Sequence, residues 1–117
     1  MVKTRFERFC AIAATAAAAL AVSGAALADS PRGLVSKGNR QYAKKAFGEA
    51  LECYDRASVK APESPIVALN KGAALYQQGD YEKARERFKE AAAKTKSLPF
   101  EAKAWYNLGN VAFREGE

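Results

Sequence analysis

Two stretches of the chain, GNRQYAKKAFGEALECYDRA at residues 38–57 and GAALYQQGDYEKARERFKEA at residues 72–91, decide the fold when one is laid on the other. Gly38, Phe47, Ala50, Tyr54 and Ala57 recur as Gly72, Tyr81, Ala84, Phe88 and Ala91, each pair 34 residues apart. A fixed period of that length marks stacked supersecondary units, none of which buries its apolar face alone. Gly38 and Gly72 fall in the middle of helical patterns, where glycine costs about 1 kcal/mol relative to alanine, so close helix approach must compensate. Ala50, Ala57, Ala84 and Ala91 let a second helix lie against each glycine. Tyr54 and Phe88 are the large knobs that fill the space between hairpins.

Stop and start signals cut each unit into two helices. Ser30-Pro31 and Ser64-Pro65 each place a capping serine before a proline, whose missing N–H is harmless at the first helical position. Gly79-Asp80 breaks the second unit, and Lys45-Ala46 occupies the equivalent turn of the first. The pattern predicts helices at 31–44, 47–60, 65–78, 81–95 and 99–115. Between Lys94 and Glu101 the period slips, because Gly109 lies 37 residues after Gly72. Three extra residues within Lys96-Ser97-Leu98-Pro99-Phe100 are expected to lengthen the connection there, with Pro99 opening the fifth helix early. The sequence stops at Gly116-Glu117, where a further helix would begin. That predicts an unfinished third unit, in a truncated chain, a fragment or one completed by another protein, with Trp105, Leu108 and Val111 partly exposed.

The 117 residues hold at most one domain. Lys3, Arg5 and Arg8 precede an uncharged, Ala-rich stretch from Cys10 to Leu27 that ends in Ala26-Leu27-Ala28. This is the layout of a secretory signal peptide, cleaved after Ala28. The alternative is a retained membrane anchor, since the stretch is nearly as long as the ~20 residues a spanning helix needs. Alanine content and the interruption at Ser23-Gly24 favour cleavage, and Cys10 lacks the preceding small residues of a lipidation site. Cleavage leaves 89 residues with 16 basic and 12 acidic side chains, a net charge of +4. It also leaves Cys53 as the sole cysteine, excluding an intramolecular disulfide. A buried Cys53 acting as a small hydrophobe is the expectation. The location expected is periplasmic or secreted, with inner-membrane anchoring as the alternative.

No histidine occurs in the chain, which excludes histidine triads and most zinc sites. Glycines fall at repeat positions and form no phosphate-cradling loop. Glu82 with Glu86, or Glu86 with Glu90, are carboxylate pairs at helical spacing, but on a solvated face with no pocket. The run Glu82-Lys83, Arg85-Glu86-Arg87, Lys89-Glu90 is such a face, and its alternating signs argue against nucleic acid. Catalytic residues, metal ligands, cofactor and small-molecule substrate are accordingly not expected.

These residues resemble the tetratricopeptide-repeat family. Trp105, Leu108 and Gly109 match its first-helix motif, and Gly79-Asp80-Tyr81-Glu82-Lys83-Ala84 with Phe88 and Ala91 match its turn and second helix. Lys45 stands where a turn glycine is usual, and Lys37 and Lys71 where an apolar residue is common. The resemblance implies an all-α, short right-handed solenoid of about 2.5 repeats, with repeats at 31–64 and 65–98 and the first helix of a third at 99–117. Lys37-Gly38-Asn39, Asn70-Lys71-Gly72 and Tyr106-Asn107-Leu108-Gly109-Asn110 further resemble exported repeat proteins of Bacteroides-aerotolerance-type operons. That narrower likeness implies a membrane-bound von Willebrand factor A-type partner.

The family resemblance also implies a non-enzymatic scaffold whose first helices line a concave peptide groove. Carried over by motif, the groove residues are Asn39, Tyr42, Leu69, Asn70, Tyr76, Gln77, Lys103, Tyr106, Asn110 and Phe113, with Arg32, Val35, Ile66, Ala73 and Arg114 beside them. Aromatic faces bury area at low entropic cost, and amides bond a peptide backbone in both senses. The alternative for Tyr42, Tyr76 and Phe113 is packing between neighbouring helices. Asn39, Asn70 and Lys103 also match the family's carboxylate clamp, but Val35 and Asn107 replace two of its cationic donors, removing most of the charge-assisted binding. Two functions follow: a periplasmic scaffold that captures a partner segment, or a membrane-tethered structural subunit of an envelope complex.

Overall fold

In a computed structural model, residues 29–116 are described. The expected signal peptide, residues 1–28, lies outside them. Five helices and no strand are found among the described residues: α1 (Pro31–Ala43), α2 (Phe47–Lys60), α3 (Pro65–Gln77), α4 (Tyr81–Lys94) and α5 (Leu98–Glu115). Each helix packs on the next in sequence, and α3 also touches α5.

The period of 34 becomes geometry at its glycines. A Cβ placed on Gly38 would lie 2.5 Å from Cε1 of Tyr54, and one on Gly72 would lie 2.6 Å from Cε1 of Phe88. Each glycine is the notch into which the aromatic of the partner helix presses. Ala50 and Ala57 flank Tyr54, Ala84 and Ala91 flank Phe88, and all six side chains are buried. Burying an aromatic of this size contributes about 1.5–3 kcal/mol, which outweighs the helix-propensity cost of the glycine. Cys53 is buried and free.

Both hairpin turns have one design. Gly79 takes φ 80°, and Lys45, at the equivalent position, takes φ 62°. The N–H of Ala46 donates to the carbonyl of Gln41 at 2.9 Å and that of Lys45 to Tyr42 at 2.9 Å; Asp80 to Leu75 and Gly79 to Tyr76 repeat the pattern at 3.0 Å. This paired bonding around a left-handed residue closes a helix C-terminus. The Asp80 carboxylate then accepts from the N–H of Lys83 and caps α4, and the Ser64 hydroxyl accepts from Val67 and caps α3.

Two expectations are corrected. The three extra residues before Gly109 do not lengthen a loop. Residues 95–97 form a shorter link than residues 61–64, and α5 instead runs to 18 residues against 13 for α1 and α3. Ser97 caps it by accepting from the N–H of Phe100, with a proline in its first turn. Three to four residues make one helical turn, so the insertion adds a turn at the start of α5, satisfying its own backbone, and leaves the packed face in register. Val111 is the second correction. It is fully buried against α4 with Ala104, while Leu108 is half-buried and Trp105 is 57% exposed.

Candidate functional site

The face shared by α1, α3 and α5 carries most of the residues predicted to bind a partner. Residues i, i+3, i+4 and i+7 of a helix share one side, which places Asn39 and Tyr42 on α1, Asn70, Ala73, Tyr76 and Gln77 on α3, and Lys103, Asn107 and Asn110 on α5. A cavity of about 180 Å³ is lined by Tyr42, Ala73, Tyr76, Gln77, Phe88, Asn107 and Asn110. Asn39 Oδ1 accepts from the Tyr54 hydroxyl at 2.7 Å and from Asn70 Nδ2 at 3.4 Å. The repeat-defining aromatic thus orients the Asn39 amide.

Burial is the leading cause that pushes the Tyr54 phenol up to about 12, with the neighbouring Tyr42 and Cys53 adding to it. Tyr54 therefore remains a neutral hydrogen-bond donor to Asn39 throughout the physiological range.

Other predicted residues lie differently. Tyr42 meets Phe47 edge-to-face at 5.1 Å and Tyr76 meets Tyr81 at 5.5 Å, so each tyrosine both packs on the neighbouring helix and borders the cavity. Arg114 Nε donates to the Tyr76 hydroxyl at 3.2 Å and holds it across α3 and α5. Tyr106 and Phe113 are 71% and 70% exposed on α5, outside the cavity rim. Lys103 is exposed, and its carbonyl accepts from Asn107 Nδ2 at 3.0 Å. Leu69 is a correction. It is 6% exposed, a member of the core with Ala68 and Leu75, and offers nothing to a ligand. Trp105 is exposed as expected, and Gly109, at the repeat position of Gly38 and Gly72, has nothing within 4 Å of a would-be Cβ.

A larger crevice of about 570 Å³, between α2, α3 and α4, was not legible in the sequence. Leu51 and Leu75 floor it, and Lys71 bonds Asp55 across it at 3.0 Å. That ion pair explains why a lysine replaces the apolar residue of the pattern at position 71. Along α4 the charge run forms local pairs, Lys83 with Asp80 and Arg87 with Glu90, and Arg85 pairs with Glu115 of α5. Glu90 also binds Lys94. Glu82 and Glu86 line the crevice, against the expectation that their face has no pocket, and no cluster of three or more metal-ligating side chains occurs among the described residues.

The family model described as tetratricopeptide repeat matches residues 35–97 and again 69–117. The chain is 38% identical over 80 residues to the heat-shock protein cognate (HSC) co-chaperone sgt12 of Aspergillus fumigatus, covering 68% of this chain and 23% of that protein. It is 34% identical over 83 residues to small glutamine-rich tetratricopeptide repeat-containing protein 2 of Mycosarcoma maydis, covering 71% and 23%. With the STIP1 homolog of Dictyostelium discoideum it shares 34% over 85 residues, covering 68% and 15%. The chain thus spans about a quarter or less of these curated relatives.

These relatives correct the expected location. They come from two fungi and an amoeba, organisms without a periplasm, and the first is a co-chaperone. Periplasmic, secreted or inner-membrane placement is therefore withdrawn. Among the described residues no helix is long and apolar enough to cross a membrane. The repeat itself stands on firmer ground: glycine notches filled by Tyr54 and Phe88, two matching turns, and a family model that covers most of the sequence establish that this chain belongs to the tetratricopeptide-repeat family.

Proposed function

We propose that this chain is a non-enzymatic protein-binding scaffold that receives an extended segment of a partner in a concave groove along α1, α3 and α5. Repeats at 31–64 and 65–98, with the opening helix of a third from 99, form the groove. The observation that carries the reading is the amide array Asn39, Asn70, Asn107 and Asn110, one member of which is oriented from beneath by buried Tyr54. Amides held in place present donors and acceptors at helical intervals, which suits a peptide backbone, and preorganisation lowers the entropic cost of capture. Tyr42 and Tyr76 supply apolar area beside them.

Similarity to a heat-shock-cognate co-chaperone makes a segment of such a chaperone the first peptide to test. The carboxylate clamp is incomplete here, with half-buried Val35 packed into the core and Asn107 bonded to the Lys103 carbonyl. Binding is therefore expected to be equal for free-acid and C-terminally amidated peptides. A von Willebrand factor A-type membrane partner and an envelope complex have no place in this reading, because the location they require is withdrawn.

Fluorescence anisotropy with peptides selected from an array tests the groove. Asn110→Ala and Tyr76→Ala should each weaken binding about tenfold, a loss of ~1.4 kcal/mol, with helicity by circular dichroism unchanged. Unaltered affinity in both variants removes the groove from the function.

A further inference from the structure

The two sides of α3 look into different spaces. At about 100° per residue, Ala73, Tyr76 and Gln77 share the side that lines the groove cavity, whereas Lys71 and Leu75 lie one turn apart on the opposite side. Lys71 and Leu75 line the crevice of about 570 Å³ that α3 forms with α2 and α4. That volume falls within the range of roughly 300–1,000 Å³ typical of ligand clefts. Half-buried Leu51 and buried Leu75 give it apolar lining.

The charges around the crevice are unequally satisfied. Acids Asp55, Asp80, Glu82 and Glu86 face bases Lys71, Lys83 and Arg87. Every base is engaged: Lys71 with Asp55 at 3.0 Å, Lys83 with Asp80 at 3.6 Å, and Arg87 with Glu90 at 2.8 Å. Two of the acids are not. Among the described residues Glu86 meets only Lys89, at 3.9 Å and with both side chains more than half exposed, a pairing that contributes little. The Glu82 carboxylate makes no ion pair with any described residue. Glu82 and Glu86 are one turn apart on α4, about 5–6 Å at their Cβ atoms, so two carboxylates with spare acceptor capacity border an apolar hollow.

We infer that the crevice is a second binding site, which takes an arginine of a partner protein flanked by apolar residues, and that it acts independently of the groove. The methylene stem of the arginine lies on Leu51 and Leu75. Its planar guanidinium, with five N–H donors, reaches both Glu82 and Glu86, and the apolar neighbours fill the remaining volume. Other occupants fit less well. An acidic segment meets two carboxylates and no free cation. A wholly apolar segment strips water from Glu82, Glu86 and the Lys71–Asp55 pair and returns no hydrogen bond. Lysine brings one compact, strongly hydrated charge in place of a fork that spans both acids. With a site on each side of α3, one chain holds two segments at once.

Amide chemical shifts of the nitrogen-15-labelled full chain, titrated with the acetylated and amidated peptides ALRLA, ALKLA and ALELA, test the site. ALRLA should move the amides of Leu51, Lys71, Leu75, Glu82 and Glu86 in one saturable transition, while Asn39 and Asn110 stay in place. ALKLA should bind more weakly, and ALELA should leave the spectrum unchanged. Glu82→Gln combined with Glu86→Gln should raise the ALRLA dissociation constant about tenfold or more, with far-ultraviolet circular dichroism constant, whereas Asn110→Ala should leave it unaltered. Absence of any shift with ALRLA overturns the proposal, as does an affinity indifferent to the double variant or shifts confined to the groove. So does spermidine moving the same amides at the same concentration, since the site would then take free polyamines. Self-association of the chain that the double variant abolishes also overturns it, since the occupant would then be a second copy.

Discussion

Gly38, Gly72 and Gly109 occupy the same repeat position, yet their surroundings differ. The first two lie under aromatic rings at less than 3 Å from a would-be Cβ, and the third faces open space. Alanine at Gly38 or Gly72 should therefore destabilise the fold by about 1–3 kcal/mol, since overpacking exceeds the helical gain. Alanine at Gly109 should be neutral or raise stability by up to about 1 kcal/mol. Urea unfolding of the three variants checks the contrast. Tyr54 carries a pH signature. Its phenol ionises near the ordinary value of 10 when unfolded and at about 12 when folded, so above pH 10 the unfolded chain loses a proton that the folded chain keeps. The contribution of Tyr54 is full below pH 10 and is lost between pH 10 and 12. Between pH 9 and about 11.5, urea midpoints should fall more steeply for the native chain than for Tyr54→Phe, which also gives up the bond to Asn39 at a cost of about 1 kcal/mol.

At the level of the element, the turns show where pattern and conformation part. Lys45 departs from the glycine usual at its position, and the chain still adopts φ 62° there because the bonds from Lys45 and Ala46 back to α1 demand it. A left-handed conformation costs a side-chain-bearing residue about 1–2 kcal/mol. Lys45→Gly should relieve most of it and raise Tm by about 4 °C or more, measured by thermal unfolding followed by circular dichroism. The start of α5 lies one residue from the predicted position, whereas the lengthened connection expected before it does not form. Ser97-Leu98-Pro99 reads equally as a loop or as a capped first turn, because proline is tolerated in both. Whether a turn forms there depends on Phe100 and Ala104 reaching α4, a contact that local sequence does not display.

Across the whole molecule, stability passes from neighbour to neighbour, since each helix touches chiefly the helices beside it. Phe88 fills the Gly72 notch, belongs to the core cluster that holds α5, and lines the groove cavity. Phe88→Ala should remove about 3–5 kcal/mol, a large share of the total for a domain of this size, and loosen α3, α4 and α5 together. Loss of protection across all three helices in hydrogen exchange checks this.

Read without coordinates, the chain already determined its hairpins, its notch-and-knob pairs and the positions of its breaks, because these rest on local propensity and on a 34-residue period written in residue type. All five predicted helices agree with the structure to within one residue at either end. Which face each side chain occupies was a tertiary decision. Leu69, expected in the groove, entered the core, and Val111, expected to be partly exposed, docked on α4. The fold decided these because hydrophobicity states that a side chain gains by burial, whereas the neighbouring helix alone determines whether there is anything to be buried against.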